Sequence, residues 1–253
     1  MQSADTVLGV LRERGRQGLP LERLYRQLFN EQLFLVAYGR IYANDGAMTA
    51  GVDGETPDGM SLGTIREIIG RLRAERYRFA PVRRVYIPKK NGTLRPLGLP
   101  AWSDKLVGEV VRLLLEAYYE PRFSARSHGF RPGRGCHTAL DEIASTWTGT
   151  TWFIEGDIAD CFGSLDHEVM LAILGEHIHD QRFLQLVGGM FTGGILGGLD
   201  LARHTFRRAP RRGRFPDPVQ YLSRPTRYVR RTASRPGPGH AGTSDGEAGS
   251  MAT

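Results

Sequence analysis

The sequence predicts an α+β fold, and three observations predict it. Apolar residues recur at helical spacing in stretches on either side of a short polar region, as in Leu21, Leu24, Leu28 and in Leu106, Val107, Val110, Val111, Leu114. Between them, Val82, Val85 and Ile87 read as a strand that turns at Asn91-Gly92 and returns through Thr93 to Leu99. Past mid-chain, the apolar run Trp152, Phe153, Ile154 suits a buried strand, and it ends on a carboxylate, Asp157.

In chain order, Leu19 to Tyr42 reads as one or two helices. Residues 44–58 form a Gly/Asp/Ala loop containing GVDGETP, in which Asp53-Gly54 is a turn signal. Ser61 is placed to cap a helix running to about Arg76, with Leu62, Ile65, Ile68, Ile69 and Leu72 on one face. The hairpin follows, with Lys89, Lys90 and Arg95 at or near its tip. Ala101 to Tyr119 reads as a helix, and FSARSHGFRPGRGCHTAL as a Gly/Ser/Arg-rich connection. Its GRG is not a phosphate-cradling loop, since no Gly-Lys-Ser/Thr follows a strand. His137 to Trp147 reads as a short helix leading into the central strand, and His167 to Val187 as amphipathic and helical.

With 253 residues and 40% hydrophobic content, the chain can bury a substantial core. No apolar run approaches the ~20 residues of a membrane span. The charged N-terminus lacks a secretory segment, so a cytoplasmic location is expected. Cys136 and Cys161 lack CxxC spacing, which argues against zinc and against a disulfide framework. The net charge of +7 resides wholly in the tail. Residues 190–253 carry eleven Arg and four acids, whereas residues 1–189 carry 23 basic and 23 acidic side chains. Within that neutral body the charge is still clustered. Arg71 to Arg95 holds nine basic residues, Arg83 and Arg84 among them, against the single acid Glu75. A solvated face usually intersperses both signs, so this segment looks like one that meets phosphates. Three cations on a stiff ribbon suit a triphosphate, Arg by its planar fork and Lys as a point charge. An ordinary solvated hairpin is the competing reading.

Acids are costly beside an apolar strand unless they are paired or bind a cation. A strand-end carboxylate and a neighbouring backbone carbonyl make a good half-site for Mg²⁺, which prefers hard oxygens and keeps waters that a phosphate can replace. A strand followed by a turn with solvated acids is the alternative for Thr151 to His167.

Three segments in order, IPKKNGTLRPLGLPAWSDKLV, SHGFRPGRGCHTAL and FIEGDIADCFGSLDH, together resemble the bacterial group II intron reverse transcriptases, the intron-encoded maturase family. GVDGETP upstream is similar to that family's N-terminal extension. The resemblance covers about Leu19 to Gly189. It implies right-hand polymerase-like fingers followed by an incomplete palm: residues 1–18 as an N-terminal extension, 19–150 as fingers with the motif at 44–58, and 151–190 as the start of the palm. By position, Asp157 resembles the first metal-binding palm aspartate, with the Ile158 carbonyl on the same Mg²⁺. Phe162 resembles the aromatic gate against a ribonucleotide 2′-hydroxyl. Arg95 with Lys89 or Lys90 resembles the fingers contact to the incoming triphosphate, and Arg131 and Arg134 within GFRPGRG resemble part of the template-side surface. The implied partners are RNA, a DNA primer and a dNTP, with no membrane.

The family chemistry uses two metals to clamp the attacking 3′-hydroxyl and the leaving pyrophosphate, with the protein supplying position and charge. It requires a second carboxylate site, a Tyr-Ala-Asp-Asp hairpin, and this chain has none. After Asp180 the acids are Asp200, Asp217, Asp245 and Glu247, none paired. The family's Pro-Gln-Gly is absent too. A single frame shift near Phe191 accounts for the difference. With permitted synonymous codons, TGGILGGLD read one base later is QAGYLEDW. The following ARHTFRRAPRRGRFPDPVQYLSRPTRYVRR is compatible with HATLSGAPQGGVVSPILSNIYLDRLDTYV, which includes Pro-Gln-Gly. Out-of-frame reading of a GC-rich gene also yields Arg, Gly and Pro. Residues 191–253 are therefore expected to be a basic, mostly disordered tail without an evolved role. On this reading the chain descends from a reverse transcriptase but is catalytically incomplete. A residual RNA-binding module and a poorly folding pseudogene product are the alternatives.

Overall fold

The computed structural model describes residues 2–44, 46–88, 92–158, 161, 164–193 and, for the backbone alone, 195–196. Seven helices and three strands lie among these residues: α1 (Ala4–Arg16), α2 (Glu31–Tyr42), α3 (Leu62–Arg73), β1 (Val82–Pro88), β2 (Leu94–Leu99), α4 (Trp102–Tyr119), α5 (Cys136–Thr146), α6 (His167–Gly175), α7 (Gln181–Thr192) and β3 (Ile195–Leu196). The mixed helix-and-strand character matches the α+β expectation. Among the described residues, no helix is long and apolar enough to cross a membrane.

The core is built around α4. Its Leu106, Val107, Val110 and Leu114 are fully buried, and α1 and α2 pack on it. Full burial of one such side chain is worth about 1.5–3 kcal/mol. The helices begin where the sequence supplies caps. Ser3 Oγ accepts from the Thr6 N–H at 3.2 Å, Asn30 Oδ1 from the Gln32 N–H at 3.0 Å, and Ser61 Oγ from the Thr64 N–H at 3.1 Å. At Gly15 the α1 and α4 backbones approach so closely that a Cβ would collide with the Tyr118 carbonyl.

The N-terminal segment is tied to the far end of the described chain. The Leu21 N–H donates to the His177 carbonyl and the His179 N–H to the Leu21 carbonyl, both at 2.8 Å. Asp180, buried, caps α7 and also accepts the Tyr25 N–H at 2.8 Å. The Tyr25 hydroxyl donates to the Leu72 carbonyl at 2.8 Å. Residues more than 150 apart in sequence therefore share one buried polar junction.

β1 and β2 are antiparallel, with Arg83 opposite Leu99, Arg84 opposite Gly98 and Ile87 opposite Arg95. This is the predicted hairpin. β3 adds beside β1 in parallel, Val82 opposite Ile195.

The structure departs from the sequence reading in two places, at residues 4–16 and at Trp152 to Ile154. Residues 4–16, expected only as an extension, form α1 with Val7, Leu8 and Leu11 in the core. The helical stretch expected over His167 to Val187 is present as two helices, α6 and α7, the second starting at Asp180. The predicted buried strand at Trp152 to Ile154 is not a strand. Residues 151–158 carry no regular structure, and Trp152, Phe153 and Ile154 are 87%, 72% and 94% exposed. A strand exists only by pairing with another, and among the described residues none pairs with this one. The tail expected to be disordered lies, from residue 197 on, outside the described residues.

Candidate nucleotide and nucleic-acid interface

The hairpin is anchored at its base by one buried carboxylate. Asp104, in the first turn of α4, accepts the Tyr77 hydroxyl at 2.7 Å and the Ala80 N–H at 2.8 Å. Burial pushes the Asp104 carboxyl above the usual carboxylate range, and the two donated hydrogen bonds pull the other way. Burial, then the neighbouring Asp104 charge, pushes the Tyr77 hydroxyl up as well. Both groups thus keep their protons more readily than in water, and the strand that enters the ribbon starts from a fixed point.

The GVDGETP loop is stapled across the same region. Arg83 donates to the Ala50 carbonyl and Lys105 Nζ to the Thr49 carbonyl, both at 2.8 Å. Gly51 lies against the backbone of Pro100 and Ala101, where a Cβ would not fit. Arg83, expected as a nucleic-acid contact, therefore spends a donor on holding the loop.

Arg84 and Arg95 differ from Arg83. Both are exposed, and neither has a hydrogen-bond or ion-pair partner among the described residues. Directly opposed residues share a face of a hairpin, and successive residues alternate. Arg95, opposite Ile87, is on the face of Arg83, and Arg84 is on the other. The ribbon thus offers one free guanidinium on each side. Lys89 and Lys90 lie outside the described residues.

In the SHGFRPGRG connection Arg131 is bonded to its own loop and to Glu120. Its Nε and Nη2 bond Glu120 at 3.0 and 2.8 Å, and its Nη1 donates to the Ser124 and Ser127 carbonyls at 2.7 and 2.8 Å. The side chain is 9% exposed. Arg134 donates to the Ala125 carbonyl. His128 bridges Thr138 Oγ1 and Glu142 Oε2, each at 2.9 Å. These charges shape the loop, and what the loop presents outward is Phe130, fully exposed at φ 56°.

Asp157 is exposed and Ile158 is 68% exposed; Asp160 and Phe162 lie outside the described residues. Among the described residues no group of three or more His, Cys, Asp or Glu is arranged to hold a metal ion. Mg²⁺ demands near-octahedral oxygen coordination. One carboxylate and one adjacent carbonyl do not complete even one such site, so the described donor set does not fit a two-ion centre.

Residues 87–201 match the reverse transcriptase (RNA-dependent DNA polymerase) family. The chain belongs to the reverse transcriptases. Its relatives narrow the assignment. It is 45% identical over 175 residues to the group II intron-encoded protein LtrA of Lactococcus lactis subsp. cremoris, covering 69% of this chain and 29% of that one. It is 46% identical over 187 residues to an uncharacterized 91 kDa protein in a cob intron of Schizosaccharomyces pombe, covering 73% and 23%. It is also 39% identical over 88 residues to nuclear intron maturase 1, mitochondrial, of Arabidopsis thaliana, covering 35% and 12%. Within the reverse transcriptases it is a member of the group II intron reverse transcriptase/maturase family. The chain spans less than a third of the length of these relatives.

Proposed function

We propose that this chain carries the fingers and the opening palm segment of an intron-encoded reverse transcriptase, and that it holds RNA without completing the chemistry of DNA synthesis. The observation that carries the RNA part is the pair of exposed, unpartnered guanidiniums, Arg84 and Arg95, on a ribbon anchored by Asp104. Most other arginines of the body are tied to a carboxylate or a carbonyl, as Arg66 is to Glu31, Arg112 to Glu109, and Arg131 to Glu120. Free cations on a fixed ribbon suit a phosphate backbone. Lys89, Lys90 and Arg95 would meet the triphosphate of a dNTP, Phe162 would gate its 2′ position, and Asp157 with Ile158 would supply the first half of a Mg²⁺ site beside a DNA primer. The second carboxylate pair that the family reaction needs is absent from the sequence. The test is fluorescence anisotropy with a labelled RNA stem-loop. Changing Arg84 and Arg95 together to Gln should weaken binding and reduce the slope of log K against log salt by about 2. Salt-independent binding, or none, would remove the reading.

A second reading concerns residues 191–253. The unbroken compatibility of TGGILGGLD and the residues after it with QAGYLEDW and a Pro-Gln-Gly-containing continuation favours a frame shift near Phe191. Nucleotide sequence across that codon decides it. The account expects the family's continuation one base later, and a next frame that encodes nothing of the kind would end it.

A further inference from the structure

His128 and His177 meet partners of opposite charge. His128 bonds the Glu142 carboxylate and Thr138, so its contacts survive protonation of the imidazole. His177, half-buried in the turn between α6 and α7, meets a cation: its Nε2 lies 2.7 Å from Arg122 Nη2. A guanidinium only donates, so His177 Nε2 accepts, and the imidazole is the neutral tautomer with its proton on Nδ1. Among the described residues neither His177 nor Arg122 is in an ion pair with a carboxylate. Protonation of His177 would remove the acceptor and set two cations against each other.

The contact sits on a junction of the fold. Arg122 Nη1 also donates to the Tyr118 hydroxyl at 3.1 Å, and that hydroxyl donates to the Leu19 carbonyl at 2.9 Å. Leu21, just beyond, pairs with the backbone of His177 and His179. One guanidinium therefore holds both the N-terminal segment and the α6–α7 turn. The other groups around His177 offer no substitute partner. The Tyr118 and Tyr119 rings lie 6.2 and 6.4 Å from its own, and the Tyr119 hydroxyl is buried without a partner among the described residues. Glu176 and His179, on the same turn, are exposed. Asp180 is taken by the Tyr25 N–H and the cap of α7, Glu120 by Arg131, and Arg14 of α1 by the Pro20 carbonyl.

We infer that the Arg122–His177 contact is an acid-released clasp between the N-terminal segment and the α6–α7 turn. It is closed while the imidazole is neutral. As pH falls through the imidazole range, near about 6.5, it opens and loosens the pairing of Leu21 with His177 and His179. The core itself stays packed, because Phe183, Leu186 and Val187 keep α7 in it. What is released is the hold on the turn by which the chain returns to the core after the Asp157 segment.

Amide exchange of the full chain, followed by NMR and corrected for intrinsic exchange, tests this between about pH 7.5 and about pH 5.5. Protection of the Leu21 and His179 amides should fall about 3- to 10-fold over that range, the size of one partly exposed hydrogen bond to a charged group. In His177→Gln the amide oxygen still accepts from Arg122 and does not titrate, so protection should stay level. In Arg122→Gln there is no cation to repel, and the fall should vanish there too. Protection that does not change with pH in the unmodified chain, a Leu21 amide already unprotected at the higher pH, or a fall of the same size in both variants would overturn the clasp.

Discussion

Asp104 sets the terms at the residue scale. It is one of few buried carboxylates described, and both donors it serves are buried with it or near it. Asp104→Ala should cost about 2–4 kcal/mol, since two polar groups lose their partner; the midpoint of urea unfolding measures this. The pH dependence has a definite sign. Burial raises the folded-state pKa of Asp104 above its unfolded value, so the folded chain takes up this proton first as pH falls. The contribution of Asp104 therefore improves as pH drops through the raised value toward about 4 and is least favourable at neutrality. The stability of the unmodified chain relative to Asp104→Asn should accordingly rise on acidification, and a flat difference would contradict this. Arg131 shows what one residue hides from a sequence reading. GFRPGRG looks like a basic surface, and only the turn that brings Glu120 back to it reveals that the charge is consumed internally.

At the scale of elements, helices α2 to α5 and the hairpin were legible because their signals are local. A cap at Ser61, an Asn91-Gly92 turn and 3.6-residue periodicity each act over a few residues. α1 is not apparent in the sequence although Val7, Leu8 and Leu11 have helical spacing and Ser3 caps them, because its apolar stripe is short and its last five residues, Arg12 to Arg16, are mostly charged. The segment Trp152 to Ile158 failed for a different reason. Its pattern is that of a strand, yet a strand needs neighbours, and those neighbours cannot be read from the segment itself. Leu140 and Ile143 of α5, Trp147 just after it, and Val169 and Ile173 of α6 are also exposed. Ile154→Ser should therefore change stability by no more than about 0.5 kcal/mol, against about 2–5 for losing an aliphatic side chain in a packed core, while raising solubility. A large loss in the unfolding midpoint would mean that the segment is packed after all.

For the whole molecule, the packed part and the chemical part are separable. Residues from α1 to α4, with α7, share one core held by Leu28, Phe34, Leu106 and Phe183, and the ribbon with the free arginines is anchored to it through Asp104. The candidate catalytic acid stands apart in irregular chain, with one carboxylate where the family reaction needs two sites. The most direct test is primer extension on an RNA template with Mg²⁺ and dNTPs, using the unmodified chain and Asp157→Ala. The account predicts that neither lengthens the primer above the protein-free control, although RNA is bound. Robust extension by the unmodified chain, abolished in Asp157→Ala, would contradict it.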